Sequence, residues 1–412
     1  SLNYQSISQV KKSREKYMTE KIIIPNAPFV SDLMADFVNG ENLKILKNDF
    51  VDNDSRFVNC ERADEKLLRQ KILDSNSVAV YSNSENSLSR ISKLFAGTDL
   101  ADKINIFKDK SRFRELLKSI YPDFYYKKVS YDELFRLQPD TLAYPLVLKP
   151  DCGFLSMGVY PLYSPEDFCA AIEKIQEEND NSANTHFSRD VVNYDNFLLE
   201  QMIDGDEYAV DAFFDADGQP VVLNIFYHPF VDSQDVSDRI YVTSSDLITD
   251  NLEKITAFLE KIAKLVKLKN FPFHIELRKN GKDFIPIECN PLRFAGWCMT
   301  DLSYYAYGIN NYDCFFNNKK PDWQKITAKT KSGFYYFSIA EVPQNICREN
   351  IEAFDYTIFS KQFSECYKMY RIDFRKNPVF AVLFGHCKTY DEVKEILCRD
   401  LHPFVIEKTK KE

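Results

Sequence analysis

Short runs of β-branched residues that end in small polar residues mark the first part of the chain. "KIIIPNAP" (residues 21–28) and "SVAVYSNSE" (77–85) have this pattern, which is typical of buried parallel strands that lead into loops. Segments with apolar residues at helical spacing lie between and after them, at 31–38, 61–74 and 86–95. The pattern predicts a small α/β domain at the start of the chain.

Two amphipathic segments follow this domain. "FKDKSRFRELLKSIYP" (107–122) has apolar residues at helical spacing and stops before Pro122, and "SPEDFCAAIEKIQEE" (164–178) begins with Ser164 as a helix N-cap. Both segments predict helices. The polar tract at 178–190 predicts a loop.

Alternating apolar and polar positions then become frequent. Residues 194–228 predict three strands, with Asp217-Gly218 as a hairpin turn. A helix is predicted over 250–267, and "FPFHIELRKNGKDFIPIECNP" (271–291) predicts a second hairpin.

The last part of the chain has a pattern of its own. "KKPDW" (319–323) predicts a boundary, after which two strands (332–342 and 379–386) and a helix (390–401) predict a small α+β appendage. Taken together, the patterns predict three domains, at residues 1–106, 107–320 and 321–412.

Composition narrows the class of protein. The 412 residues are 44% hydrophobic and carry a net charge of −9, which argues against a general nucleic-acid binder but not against a small anionic ligand held by a local lysine cluster. The ten cysteines form no CxxC pair and no spacing typical of zinc sites, so we expect reduced thiols. The apolar runs are too short for a membrane span, and the polar start has no signal-peptide core. We therefore expect a cytoplasmic protein without nucleic-acid or membrane partners.

The second hairpin carries three oxygen-bearing side chains. Glu276 lies on its first strand, and Glu288 and Asn290 share a face of its second strand. Two buried carboxylates need a counter-charge, which Mg²⁺ supplies through oxygen ligands. The alternative is a surface hairpin whose acids face water.

The turn of this hairpin decides between the two interpretations. A two-residue turn at Asn280-Gly281 would place Glu276 and Glu288 on opposite faces of the sheet. Joint metal binding requires an odd-length loop, for example 280–282 with a bulge, and we expect that arrangement.

A lysine ends the apolar run "YPLVLKP" and precedes a loop of small residues. Lys149 is followed by Gly153, Ser156 and Gly158. On its own, this pattern fits either a strand end that meets water or a loop whose backbone N–H groups enclose phosphates.

The ordered set of motifs over about 109–310 resembles the ATP-grasp superfamily, which includes D-alanine–D-alanine ligase and biotin carboxylase. The run from Lys149 to Val159 reproduces the pattern K-P-x-x-G-x-x-S-x-G-V. The resemblance implies an α/β (α+β) ATP-grasp fold with an N-terminal α/β pre-ATP-grasp domain, a lid at about 125–200, a central antiparallel sheet and the C-terminal appendage.

The resemblance also implies roles for individual residues. Lys110 and Lys149 would bind ATP phosphates together with Gly153, Ser156 and Gly158, and Lys149 would also assist catalysis. Glu200 would hold the adenine amino group, the backbone at Met202 and Ile203 the adenine edge, and Glu207 the ribose hydroxyls. Glu276, Glu288 and Asn290 would bind two Mg²⁺ ions, with Mn²⁺ as a substitute.

The implied reaction is ligation. ATP phosphorylates a carboxylate to an acyl phosphate, and an amine displaces the phosphate to give an amide. The expected partners are therefore a small-molecule carboxylate and an amine, of the amino-acid or peptide kind, with a homodimer as one option for assembly.

The arginine that completes such a site is displaced here. Many relatives have Asn-Pro-Arg, whereas this chain has "NPLRFAGW", so Arg293 comes one residue late. We still expect Arg293 to stabilise the acyl phosphate. The alternative is a structural ion pair.

Further candidates lie near the predicted acceptor pocket, which we place after the central sheet. His228 and Arg239 are candidate substrate residues, with Arg239 binding a substrate carboxylate, and His274 is a candidate supporting partner of Glu276. The aromatic segment 294–308 predicts a core helix.

Two alternative functions remain open from the sequence. One is the activation of bicarbonate to carboxyphosphate, as in carbamoyl-phosphate synthases. The other is a catalytically silent nucleotide-binding protein. The presence of both lysines and all three metal-binding residues argues against a silent protein.

Overall fold

The computed structural model describes most of the chain. The described residues are 20–75, 78–152, 158–182, 193–232, 235, 237–281 and 283–408. No helix in these ranges is both long enough and apolar enough to cross a lipid bilayer.

The N-terminal part is a three-stranded parallel sheet with helices around it. Its elements are β1 (Glu20–Ile24), α1 (Asp32–Gly40), β2 (Lys44–Ile45), α2 (Asp49–Asp52), α3 (Glu65–Ser75), β3 (Val78–Ser82) and α4 (Leu88–Leu94). The strand order is β2-β1-β3. These elements confirm the predicted strands and helices of this region, and most of their apolar residues are buried in one continuous core.

The predicted helix at 107–122 is wrong in its bounds. Two helices, α5 (Asp99–Lys108) and α6 (Lys110–Leu117), meet at Asp109, whose extended backbone ends the first and whose side chain accepts the Arg112 N–H to cap the second. The break places Lys110 in the first turn of α6, from which its side chain leaves toward the central sheet.

A four-stranded sheet with its own small core follows. Its elements are β4 (Tyr126–Ser130), α7 (Tyr131–Leu134), β5 (Leu146–Cys152), β6 (Tyr160–Leu162), α8 (Pro165–Ser182) and β7 (Asn193–Gln201), and the strand order is β4-β7-β5-β6. The Asp167 N–H donates to Ser164 Oγ at 3.3 Å, as an N-cap should. Helix α8 extends to Ser182, so the first part of the predicted loop is helical, and 183–190 lie outside the described residues.

The next elements form the antiparallel centre of the molecule. They are β8 (Asp206–Phe214), β9 (Pro220–His228), β10 (Ile240–Thr243), α9 (Ser245–Val266), β11 (Phe271–Asn280) and β12 (Asp283–Pro291). The three strands predicted over 194–228 are confirmed, but the first, β7, belongs to the smaller sheet. Helix α9 begins earlier than predicted, where Ser244 Oγ accepts the Leu247 N–H.

The C-terminal strands extend this sheet. The remaining elements are α10 (Leu302–Tyr307), α11 (Asn311–Phe316), α12 (Trp323–Thr327), β13 (Phe334–Glu341), β14 (Ile351–Phe354), α13 (Tyr356–Ser360), β15 (Cys366–Arg371), β16 (Val379–Cys387), α14 (Tyr390–Leu397) and β17 (Val405–Glu407). Because β13 pairs with β10, the large sheet has the order β12-β11-β8-β9-β10-β13-β16-β15. The domain boundaries at 106 and 320 stay predictions.

Short 3₁₀ helices connect several of these elements. They lie at Ser55–Phe57, Glu85–Ser87, Pro139–Thr141, Gly296–Asp301, Arg348–Asn350 and His402–Phe404.

Gly205 joins the two sheets, and we expect it to be intolerant of substitution. Its φ is +107°, and a Cβ there would lie 2.0 Å from the Lys279 carbonyl oxygen. Gly281 also has a positive φ, +64°, but a Cβ there would meet no atom within 4 Å. Gly205→Ala should therefore lower the free energy of unfolding by about 2–4 kcal/mol, and Gly281→Ala by about 1 kcal/mol. Equal losses in urea denaturation would contradict the steric argument.

Candidate active site

A cleft lies between the smaller sheet and the central sheet. Strands β5 and β7 supply one wall, and β8, β11 and β12 supply the other, with Lys110 of α6 between them. The predicted site residues that line it are Lys110, Lys149, Glu200, Met202, Ile203, Glu207, His228, Glu276, Glu288 and Arg293. The fold therefore brings together most of the residues that the motifs single out.

The metal hairpin places its two acids opposite each other, although not by the predicted loop. Asn280 pairs with Asp283, so the turn at the tip has two residues, and this register alone would turn Glu276 and Glu288 to opposite faces. A bulge shifts the register beyond Leu277, which pairs with Pro286, so that Glu276 pairs with Glu288. The expected location of the irregularity was wrong, and the expected placement of both acids on one face is confirmed.

The two acids differ in their surroundings. Lys110 Nζ lies 3.0 Å from Glu288 Oε2. Burial alone would raise the pKa of Glu288, but Lys110 and Lys149 lower it to about 2. Burial and the adjacent charge of Glu288 raise the pKa of Glu276 well above its ordinary value. A divalent cation between the acids would relieve this repulsion.

The chemistry of the donors fits Mg²⁺ in part. The Asn290 amide lies beside Glu288, with Nδ2 3.3 Å from Oε1, and is buried. In the described ranges, no group of three or more His, Cys, Asp or Glu side chains is arranged to hold a metal ion. A cation here would therefore need oxygens beyond the two carboxylates, which the amide and the phosphates of a nucleotide can supply, as is usual for Mg²⁺.

At the phosphate end, one buried carboxylate faces two cations. Glu200 Oε1 lies 2.7 Å from Lys149 Nζ, and Glu200 Oε2 lies 2.5 Å from Arg114 Nε. Burial opposes the charge of Glu200, but Arg114 and Lys149 lower its pKa to about 2. The same burial lowers the pKa of Lys149 against the opposing effect of Glu200. Sequence patterns did not single out Arg114; its only signal is its position one helical turn after Lys110.

The predicted adenine contacts need one correction. Both oxygens of Glu200 already accept hydrogen bonds from cations, so its contact with the adenine amino group stays a prediction. The Met202 N–H donates to the Pro145 carbonyl at 3.1 Å. The Met202 N–H is therefore engaged within the protein, and the amide of Ile203 is left as the candidate for the adenine edge.

Glu207 lies in a row of side chains across three strands. It pairs with His228 on β9 and with Arg278 on β11, and its oxygens lie 3.0 Å from His228 Nδ1 and 3.1 Å from Arg278 Nη2. These partners lower the pKa of Glu207 against the effect of burial, and Glu207 raises the pKa of His228 although burial opposes it. The His228 ring stacks on Tyr241 at 4.0 Å. His228 therefore holds Glu207 and borders the cleft.

Arg293 reaches the cleft despite its displacement. Leu292 has a φ of +58°, and this left-handed residue absorbs the extra position. Arg293 Nη2 lies 2.6 Å from Glu85 Oε1 of the N-terminal part, and Nη1 donates to the Phe294 carbonyl at 3.0 Å. Glu276 and Glu288 also favour its charged form. Glu85 is a second residue that sequence patterns did not single out.

Arg239 does not reach the cleft. Its side chain is 44% exposed, and Nε lies 3.6 Å from Glu341 Oε2. The residue before it does line the cleft: Asp238 accepts a hydrogen bond from the Tyr241 hydroxyl at 2.7 Å, and burial raises its pKa. The wall at this point is therefore acidic rather than basic, which corrects the predicted carboxylate-binding role of Arg239.

His274 and the aromatic segment 294–308 both contribute side chains to the cleft. His274 Nδ1 lies 2.8 Å from the buried Asp211, and Nε2 lies 3.7 Å from Glu276 Oε1. The 294–308 segment is a 3₁₀ helix followed by α10, and its residues Trp297 and Met299 line the cleft. The predicted core role is therefore only part of what this segment does.

The phosphate loop is described only at its end. Gly158 has a φ of +72°, which suits glycine, and Val159 lines the cleft. Gly153 and Ser156 lie outside the described residues, so their predicted role has no structural counterpart here.

Part of the chain matches a known protein-family model. Residues 142–301 match the family model described as an ATP-grasp domain. No curated protein matches the chain in sequence.

Solved structures show the same fold at low sequence identity. L-amino acid ligase from Bacillus licheniformis is similar with a TM-score of 0.63 and 18% identity, over 95% of this chain and 100% of that one. Phosphoribosylglycinamide synthetase from Anaerococcus prevotii has a TM-score of 0.57 and 12% identity, over 95% and 100%. The biotin carboxylase domain of 2-oxoglutarate carboxylase from Hydrogenobacter thermophilus, in complex with MgADP and bicarbonate, has a TM-score of 0.59 and 13% identity, over 95% and 91%.

Proposed function

We propose that the protein is an ATP-dependent carboxylate–amine ligase. It phosphorylates a substrate carboxylate to an acyl phosphate, joins it to an amine, and releases ADP and phosphate. One observation carries the proposal: the bulge in the β11–β12 hairpin presents Glu276 and Glu288 together on the cleft wall that Lys110 and Lys149 face. Two acids and two lysines around one cleft are what a magnesium nucleotide requires.

The side chains have separate tasks in this reaction. Lys110 and Lys149 bind phosphate oxygens as point charges, and Glu207 accepts hydrogen bonds from the ribose hydroxyls. Mg²⁺ held by Glu276, Glu288 and Asn290 would offset negative charge on the transferring phosphoryl group.

Arg293 completes the site where charge develops. Its guanidinium lies in the cleft with Glu276 and Glu288 among the charges around it. A planar cation at this position suits the oxygens of an acyl phosphate, and Glu85 and the Phe294 carbonyl fix its orientation.

The acceptor side of the cleft favours an amino-acid-like substrate. The carboxyl group of Asp238 lies there, and Phe230, Tyr241, Phe337 and Ile339 supply apolar and aromatic surface. An ammonium group beside an apolar side chain matches this wall better than a second carboxylate does. The similarity in fold to an L-amino acid ligase is consistent with this substrate class.

The function can be tested against its alternatives by phosphate release. The ligase proposal predicts release from ATP only when an amino-acid pair is present. Release that requires bicarbonate alone would indicate carboxyphosphate formation, and no release under any condition would indicate a catalytically silent protein.

Nucleotide binding should be visible in thermal melting. Mg-ATP at about a hundred times its Kd should stabilise the protein by about 2.7 kcal/mol, which for a unit of roughly 200 residues raises Tm by about 5–10 °C. Lys149→Ala should reduce this shift because it removes a phosphate contact, and the exposed Arg239→Ala should leave it unchanged. An unchanged Tm of the parent at millimolar Mg-ATP would contradict nucleotide binding.

A further inference from the structure

Arg114 joins three parts of the molecule although no motif contains it. It comes from α6, is 3% exposed, and its guanidinium lies 4.3 Å from the centre of the Phe124 ring. Two of its nitrogens donate to the two oxygens of Glu200, at 2.5 and 3.1 Å, and a third donates to the Pro286 carbonyl at 2.5 Å. Every face of this side chain is therefore engaged.

The Pro286 carbonyl, which Arg114 contacts, lies next to the bulge of the hairpin. Pro286 is the last residue paired in the register of the tip, and the shift that brings Glu288 opposite Glu276 follows it directly. Strand β12 is an edge strand, so its outward carbonyls need partners from outside the sheet. Arg114 satisfies the carbonyl next to the bulge.

Neighbouring side chains contact alternate residues of β12. Lys110 Nζ reaches Glu288, Arg114 reaches Pro286, and the Tyr121 hydroxyl donates to the Phe284 carbonyl. Positions 110, 114 and 121 recur at helical spacing, and their partners on β12 recur at every second residue. Helix α6 and the residues after it thus run along β12 and fix the strand beside its bulge.

The other two bonds of Arg114 reach the phosphate end. Lys149 Nζ lies 2.7 Å from Glu200 Oε1, and Arg114 donates to both oxygens of the same carboxylate. One guanidinium group therefore links β12, the strand of Glu288, to the ion pair between Glu200 and Lys149.

We propose that Arg114 is a positioning residue that fixes the metal-binding carboxylates relative to the phosphate-binding lysine. The proposal rests on the proposed function, because it concerns the relative positions of the metal-binding carboxylates and the phosphate-binding lysine of that same site. Only arginine can fill this role, since its planar fork donates in several fixed directions at once, whereas a lysine is a single point charge. Arg114→Lys keeps the positive charge but removes the group that contacts Glu200 and the Pro286 carbonyl at the same time.

The test measures binding of Mg-ATP to the full chain by calorimetry over a series of Mg²⁺ concentrations. Arg114→Lys should raise the Kd of Mg-ATP about tenfold, the loss of roughly one good interaction. It should also raise the Mg²⁺ concentration needed for half-maximal affinity several-fold. The control is Arg112→Lys on the same helix, since the Arg112 side chain is 60% exposed and pairs only loosely with Asp109, at 3.7 Å. Both quantities should match the parent in the control.

The Mg²⁺ midpoint separates positioning from plain stability. If Arg114 were merely structural, its replacement would lower the Tm of the ligand-free protein. The Mg²⁺ concentration needed for half-maximal affinity, measured on the folded molecules, would then stay unchanged. If Arg114→Lys folds poorly, Arg114→Ala with millimolar guanidinium added supplies the second measurement. Recovery of Mg-ATP affinity supports the proposal, and no recovery overturns it.

The two levels of inference fail in different ways. A parent protein that does not bind Mg-ATP would overturn the proposed function together with this inference. A parent that binds, with an Arg114→Lys variant of equal Kd and equal Mg²⁺ midpoint, would overturn the role of Arg114 alone.

Discussion

Arg293→Ala should lower kcat about 10²–10³-fold and leave the Kd of Mg-ATP within about threefold of the parent value. In the proposed site, Arg293, which lines the cleft, acts on the transferring phosphoryl group, while the lysines and the two acids would hold the magnesium nucleotide. A group that acts mainly on charge developing in the transition state changes turnover more than ground-state binding.

Steady-state kinetics and calorimetry on the same variant measure the two quantities separately. Arg239→Ala is the matched control, because Arg239 is exposed and pairs with Glu341 outside the cleft. If Arg293→Ala turns over within about threefold of the parent, Arg293 serves only the ion pair with Glu85. Another cation would then have to act on the acyl phosphate.

Glu288→Gln should weaken both nucleotide binding and turnover, with a loss of about 10³-fold or more in kcat/KM for ATP. Lys110 lies beside Glu288 and lowers its pKa, and Glu288 pairs with Glu276. In the proposed site its charge would therefore serve the metal that both the bound nucleotide and the transition state need. Glutamine keeps the size of the side chain and removes only this charge.

The second prediction also has an internal check. Raising the Mg²⁺ concentration should restore part of the lost activity of Glu288→Gln, because a weakened site fills at higher metal concentration. Glu253→Gln on the exposed side of α9 should behave like the parent. Parent-like kinetics of Glu288→Gln would contradict the metal assignment.

Much of the fold could be predicted because its signals are local. The buried β-branched runs at β1 and β3 depend on residues next to each other in sequence, and the structure confirms them. The hairpin around Asp217-Gly218 is also present, but its connection is longer than the predicted two-residue turn, because the Asp215 N–H donates to the Gln219 carbonyl. Lys149 and Glu288, which the family resemblance assigns to the site, both line the cleft.

The features that were missed depend on contacts between distant segments. Beside the register shift before Glu288, the Pro286 carbonyl accepts a hydrogen bond from Arg114, which comes from a separate helix far earlier in the chain. The spacing of apolar residues along the chain does not indicate a contact between residues so far apart in sequence. Nor could local pattern show that β13 would pair with β10, because strand pairing across long loops is set by tertiary packing.

The errors at single positions have equally specific causes. Asp109 breaks the predicted helix because its side chain caps the next one, a preference that outweighs the apolar periodicity on either side. Arg239 was placed in the pocket by proximity in sequence, but its neighbour Asp238 is the residue that lines the cleft.

The most direct test of the ligase proposal is the fate of carboxylate oxygen. Amino acids labelled with oxygen-18 in the carboxylate are supplied with Mg-ATP, and the released phosphate is analysed by mass spectrometry. An acyl phosphate intermediate transfers one labelled oxygen to phosphate when the amine displaces it, and our account predicts one label in each phosphate released. Phosphate that carries no label, although ATP is consumed and an amide is formed, would contradict it.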